Sequence, residues 1–331
     1  MPLILLVAAA LGWSLYKQRP KSLVVYCVHD ATYSESILRD FERQTGIPVH
    51  VRFDTEATKS LGLTEQLIRE RNRSRCDVFW NNEPLGTMQL KAEGLLLPYK
   101  GSGYRRIPEA YKDQDGHWSG FAARMRVWII NTQKLEPTEE TLAKALVDDL
   151  SRVAMAKPLY GTTRMHYTVL WQHQGETGLK HRHRDWFTRG INIVTGNAHV
   201  KNLVAAGTCD LGLTDTDDFF LAKDENQPVA MLPFRLDSGS VILIPNTVAI
   251  IKGTDHLPAA QQLVDFLLSA QTELALSRSA SRQIPLGSTD EMSLPVEVQQ
   301  LANIAVSAYP LSELAAASEA CLTWLRSEYV R

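Results

Sequence analysis

Apolar and polar positions along the chain alternate between two periods. "SLVVYCVHD" is a continuous apolar run that ends in polar residues, as in a strand buried on both faces. "ATYSESILRDFERQTG" follows, with Ile37, Leu38 and Phe41 on one helical face, Thr32 and Glu35 at capping-box spacing, and Gly46 as the stop. The same alternation continues through the strand "IPVHVRF" and the helix "TKSLGLTEQLIRERN", with Leu63, Leu67 and Ile68 inward. It goes on through the strand "CDVFW", the polar loop "NNE" and the helix "LGTMQLKAEG", which ends on Gly94. Strand–helix alternation of this kind predicts a parallel α/β sheet. Ligands of such sheets bind beyond the carboxyl ends of the strands. His29, Asp54 to Glu56, and Asn81 to Glu83 stand there.

A long strand, "GFAARMRVWIINT", interrupts the alternation at residues 120–132, and a second α/β unit spans about 133–238. Its strands are "RVAMAKP", "INIVTG" and "CDLGLTD". Its helices open at "GTTRMHYTVLWQHQG", "LKHRHRDWFTRG" and "NAHVKNLVAAG". A second long strand, "SVILIPNTVAIIKG", then precedes two short helices. The two long strands bracket the second unit and predict two α/β lobes joined by two crossings. One lobe comprises residues 22–125 and 245–297, the other 126–244 and 298–331. Neither crossing is a flexible Gly/Ser linker.

The apolar run from Pro2 to Leu15, followed by "YKQRPKS", is short for a membrane span. It fits a signal peptide or N-terminal anchor over residues 1–21, and hence an exported protein, periplasmic or tethered to the outer face of the cytoplasmic membrane. Across 331 residues the chain is 44% hydrophobic and 22% charged, with a formal net charge of -2. That balance is globular and gives no argument for nucleic acid. Cys27, Cys76, Cys209 and Cys321 lie far apart, form no metal or redox motif, and read as buried thiols. The chain carries no P-loop, no G-x-S-x-G, no H-E-x-x-H and no nucleophile–base pair, so it is expected to bind rather than catalyse. "KHRHRDWFTRG" reads as a solvated helix face, because His181 and His183 are two positions apart.

The sharpest local feature is "TDTDDFF" at 214–220. Asp215, Asp217 and Asp218 crowd the end of an apolar strand and could either cap the next helix or hold a cation. On the first crossing strand, Arg124 and Arg126 share a face, either toward a ligand or toward acidic partners at the hinge.

From "LVVYCVHDATYSESILRDFERQTGIPVHVRFDTEATKSLGL" through "CDVFWNNEPLGTMQLKAEGLLLPY", "GFAARMRVWIINT", "VAMAKPLYGTT", "GNAHVKNLVAAGTCDLGLTDTDD", "IPNTVAIIKG" and "RQIPL", the chain resembles the extracellular solute-binding proteins of bacterial ABC importers, the ferric-iron branch in particular. The resemblance implies a flytrap fold of the type II periplasmic class and a monomer that delivers cargo to a permease and its ATPase. It also implies a metal site. His29 matches a histidine after the first strand, Glu83 a glutamate after the third, and Asp217 and Asp218 the positions of a tyrosine pair. It implies a companion phosphate or carbonate at Arg124, Gly161, Thr162, Thr163, Asn197 and Asp215. Phe219 and Phe220 have no hydroxyl and cannot replace the tyrosines. An imidazole with carboxylates suits Fe(III) or a divalent ion. A small organic phosphate or a polyamine is the alternative cargo.

Overall fold

The computed structural model describes residues 22–54, 60–290 and 293–330. The expected leader or anchor at 1–21 lies outside them, and no described helix is long and apolar enough to cross a membrane.

Ten strands form one curled mixed sheet. They are β1 (Leu23–Cys27), β2 (Val49–Phe53), β3 (Val78–Asn81), β4 (Leu96–Leu97), β5 (Ser119–Asn131), β6 (Val153–Ala156), β7 (Asn192–Val194), β8 (Leu211–Asp215), β9 (Val229–Pro233) and β10 (Leu243–Ile251). The order is β2-β1-β3-β10-β5-β8-β6-β7, with β4 beside β10 and β9 beside β5. β1, β2 and β3 pair in parallel, as do β6, β7 and β8. The two long strands run antiparallel to their neighbours and join the halves.

The helices are α1 (Ala31–Thr45), α2 (Leu61–Arg69), α3 (Pro84–Ala92), α4 (Ser102–Arg106), α5 (Glu139–Ala145), α6 (Gly161–Thr188), α7 (Asn197–Ala205), α8 (Thr216–Asp224), α9 (Leu257–Leu267), α10 (Ala270–Arg278), α11 (Val296–Ala305) and α12 (Leu314–Tyr329). Ile37, Leu38 and Phe41 of α1 are buried as the period requires, and Gly46 ends the helix with φ 70°. The start differs from the capping-box expectation. Asp30 is the N-cap residue and makes no side-chain cap bond, so Thr32 already lies inside the helix. α6 is continuous apart from Gly175, whose φ of 74° and ψ of 165° break it into the two helices expected. All four cysteines are buried, and none is disulfide-bonded among the described residues.

The core divides with the sheet. Leu23, Val25, Phe41, Val78, Trp80 and Leu263 pack around β1 and β3. Trp128, Met155, Tyr167, Leu213 and Leu325 pack around β6 and β8. Between them β5 changes partners. Residues through Met125 pair with β10, and Arg126 onward pair with β8. A bulge sits just before the change, opposite Pro245 and Asn246. Ala122 holds φ 39° there, an unfavourable value for a residue with a Cβ. The Glu273 carboxylate accepts its N–H at 2.7 Å, and Asn246 Nδ2 donates to its carbonyl.

The "KHRHRD" segment is only partly solvated. His181 is exposed, but His183 is buried, and its Nδ1 lies 3.1 Å from the Tyr167 hydroxyl. Burial holds the His183 imidazole below its usual 6.5. Burial, and then Arg126, hold His166 well below it. As pH falls through 6.5 the unfolded chain takes up protons that these two folded sites refuse. Their contribution to stability is therefore present above pH 6.5 and lost below it. We expect the urea midpoint to drop between about pH 7.5 and about pH 5.5, and a His166→Phe variant to show a shallower drop relative to its own value at the higher pH.

Candidate functional site

β8 carries "LGLTD" into α8 without a loop, so Asp215, Asp217 and Asp218 emerge together at a strand carboxyl end. One oxygen from each lies within 4.8 Å of the others. Asp215 occupies the N-cap position but makes no cap bond. Its carboxylate instead accepts from Arg126 Nη1 at 2.7 Å and from Asn197 Nδ2 at 2.9 Å. Asp217 Oδ1 accepts from the Asp218 N–H at 3.1 Å, and Asp218 Oδ2 accepts from the Thr214 hydroxyl at 2.7 Å. Asp215, the residue in the cap position, thus spends its carboxylate on Arg126 and Asn197 rather than on the helix start.

The three carboxylates line a cleft of about 350 Å³ between the two halves. Asp30, Tyr33 and Asn82 face them from the first half. Lys157, Tyr160, Gly161, Thr162, Thr163 and Asn197 stand beside them, with Arg124 of β5 in the wall. Among the described residues, four carboxylates and two cations, Arg124 and Lys157, line the cleft.

Its anion-type groups form a shelf at the start of α6. Gly161 takes φ 51°, and a Cβ there would meet nothing within 4 Å. Tyr160 provides no side-chain cap, so the leading N–H groups of α6 have the polarity and position to receive an oxyanion. Asn197 Nδ2 donates to Thr162 Oγ1 at 2.8 Å, and Thr163 Oγ1 donates to Asn197 Oδ1 at 3.2 Å. Arg126 closes the network through Asp215, with Thr162 and Asn197 at 3.4 Å. Asp215 carries the same charge as an oxyanion. Its place is to hold Arg126 and Asn197, not to contact an anion.

His29 and Glu83 are not brought to the cleft, which corrects the expectation that they are ligands. Glu83 is fully buried and caps α3, accepting from Leu85 N–H at 2.6 Å, Gly86 N–H at 3.1 Å and the Ser60 hydroxyl. Both carboxylate oxygens are thereby used. Glu83→Ala is expected to cost about 1–3 kcal/mol in urea unfolding and to leave cation affinity unchanged in a titration of the folded variant. His29 is 1% exposed, and its Nε2 lies 2.7 Å from Gln283 Nε2. An amide nitrogen can only donate, so the Nε2 lone pair is already engaged. The His29 ring sits 5.7 Å from that of Tyr33 and helps fix it.

Tyr33 is the group that the pattern of the sequence hid. It reads as a core position of α1 and is nearly buried, yet it lines the cleft. Burial, and then the charges of Asp217, Asp218 and Asp30, push its phenol well above the usual range, against the opposing pull of Arg124. A cation bound at the carboxylates would reverse that electrostatic part.

Residues 23–279 match the family described as bacterial extracellular solute-binding protein. The Fe(3+)-binding periplasmic protein of Serratia marcescens is 27% identical over 138 residues, 42% of this chain and 37% of that protein. The major ferric iron-binding protein of Neisseria meningitidis serogroup A is 25% identical over 276 residues, 77% of this chain and 78% of that protein. Among solved structures, iron-bound HitA from Pseudomonas aeruginosa superposes with a TM-score of 0.81 at 24% identity, covering 94% of this chain and all of that one.

Proposed function

Because the chain belongs to the bacterial extracellular solute-binding protein family, we propose that it is the cargo-binding component of an ABC importer and that its cargo is ferric iron or a related metal ion. The observation that carries this reading is the convergence of Asp215, Asp217 and Asp218 at the cleft. Asp217 and Asp218 are the ligands proposed from the second half, with Tyr33 facing them from the first. Hard oxygen donors of this kind favour Fe(III), Mn(II) or another hard ion over soft metals. A phosphate or carbonate would accompany it on the shelf of Gly161, Thr162, Thr163 and Asn197, with Arg124 supplying charge. The names of the Serratia and Neisseria relatives support iron.

Lobe closure is the mechanism proposed. The lobes divide near Met125 and Arg126, where β5 changes partners, and again near Leu243 to Pro245 on β10. Ligands drawn from both halves bind the closed arrangement better than the open one, so cargo shifts the equilibrium toward the form a permease would read. Export to the periplasm, or tethering to the outer face of the cytoplasmic membrane, follows from this role. A small organic phosphate is the second reading, favoured by the same α6 shelf. Thermal stability should rise with Fe(III) citrate or Mn(II) as RT ln(1 + [L]/Kd). A rise with glucose phosphate or spermidine and with neither metal would overturn the metal reading.

A further inference from the structure

Ala122 lies inside β5 yet holds φ 39°, a conformation that is costly for a residue with a Cβ. The value is imposed from three sides. The Glu273 carboxylate of α10 accepts the Ala122 N–H at 2.7 Å. Asn246 of β10 donates to the Ala122 carbonyl and, at 2.8 Å, to Gln283 Oε1. The next residue, Ala123, exchanges both main-chain bonds with Ile284, at 2.7 and 2.8 Å. Ala122, Asn246, Glu273 and Gln283 are all buried. Ala122 and Leu276 of α10 belong to the core around β1 and β3, so this clamp is built on the first half. Four residues on, Arg126 is already held by β8 and Asp215 of the second half. The strained residue is thus the last fixed point of one half, and only Ala123, Arg124 and Met125 separate it from the first fixed point of the other. The chain crosses again after α10, and there Arg282 holds φ 43° while its guanidinium takes Asp224 of α8 at 2.7 and 2.8 Å.

We propose that Ala122 is a loaded hinge residue: its strain is held in the closed arrangement and released on opening, so that it drives the lobes apart and sets how readily cargo leaves. The inference rests on the lobe-closure reading above. The structure is a closed arrangement, because Tyr33 and Asn82 of the first half and Asp217 of the second face one cleft and are all buried. Strain of this kind persists only where the surroundings over-determine a dihedral. Swinging the second half about residues 123–125 pulls first on the Ala123–Ile284 bonds, one of the three constraints on Ala122. A left-handed residue other than glycine costs enough to shift an equilibrium about tenfold. A penalty present only in the closed arrangement lowers the closed fraction, and with it the cargo affinity, by the same factor.

The test reads the interlobe distance by pulsed electron–electron resonance, with nitroxide labels at Glu35→Cys on α1 and Asn202→Cys on α7. Both positions are exposed, whereas the native cysteines are buried. In the ligand-free labelled protein, Ala122→Gly should raise the ratio of closed to open distances about tenfold and tighten Fe(III) citrate binding by about the same factor. Glycine takes this φ without penalty and keeps the N–H and carbonyl that Glu273 and Asn246 hold, so the variant is expected to fold. Ala123→Gly adds the same chain freedom at a residue whose φ is not left-handed, and should match the wild type. Distances and affinity unchanged in Ala122→Gly, or changed equally in Ala123→Gly, overturn the strain role. Wild-type distances that still shorten with Fe(III) citrate in that case leave the closure reading standing. A shift in ligand-free Ala122→Gly beside a wild type that ignores Fe(III) citrate upholds the hinge role and removes iron as cargo. No change with the variant or with Fe(III) citrate overturns both.

Discussion

Asp217→Asn should abolish cation binding, lowering affinity by at least about a hundredfold while the ligand-free protein keeps its fold. The substitution preserves shape, and Asn can still accept the Asp218 N–H that Asp217 now accepts at 3.1 Å. What it removes is one negative charge from a crowded set. A unit charge pair at about 4 Å is worth about 4 kcal/mol near a protein surface, and a multivalent ion feels correspondingly more. In the ligand-free state the loss is largely offset. Arg124 loses a partner at 3.7 Å, but Asp215 and Asp218 lose a like-charged neighbour. Calorimetric titration with Mn(II) or Fe(III) citrate, together with urea unfolding of the ligand-free variant, separates the two effects. A variant that unfolds more easily and binds as before would mean that Asp217 serves only the start of α8.

The largest loss of stability is expected away from the cleft, at Glu273. This carboxylate is fully buried on α10. It accepts the N–H groups of Ala122 at 2.7 Å, Leu286 at 2.8 Å and Gly287 at 3.1 Å, and pairs with Arg106. Glu273→Ala would strand three main-chain donors and leave the half-buried Arg106 guanidinium without its carboxylate, though still bonded to the Leu268 and Ser288 carbonyls. The cost should be about 3–5 kcal/mol, measured by urea unfolding. Because one of those donors belongs to the strained Ala122 beside the change of partners in β5, the damage should also reach lobe closure. Small-angle scattering of the folded fraction should show a smaller difference between cargo-loaded and cargo-free forms than in the wild type.

The periodicity of the chain places β1 to β3, β5 to β8, β10 and most helices beside them, because buried apolar faces dominate both, but it leaves β4, β9, α4, α5, α11 and α12 unread. Ile37, Leu38 and Phe41 declare α1, and the unbroken apolar run of β5 declares a strand covered on both sides. The family match over residues 23–279 agrees with the resemblance read from the same segments. Spacing fails where a polar side chain has two plausible uses. Glu83 stands at a strand end like a ligand, but the proline that follows it is the signature of a helix start, and the carboxylate spends itself there. His29 stands at the end of β1, but Gln283, which engages its Nε2, is distant in sequence and could not be foreseen. Tyr33 was hidden for the opposite reason. A residue at the first turn of a helix, just past a strand end, can be both core and cleft, and the pattern shows only the core. Arg124 and Arg126 look alike as alternate residues on a strand; only their distances of 3.7 Å and 2.7 Å to Asp217 and Asp215 separate a loose pair from a locked one.

Elemental mass spectrometry of the protein freshly isolated from its native compartment, beside an Asp217→Asn, Asp218→Asn double variant, addresses the central claim most directly. About one iron or manganese per wild-type chain is expected, and none above background in the variant. Equal metal in both, or no metal in the wild type with an organic phosphate released on denaturation, would contradict it.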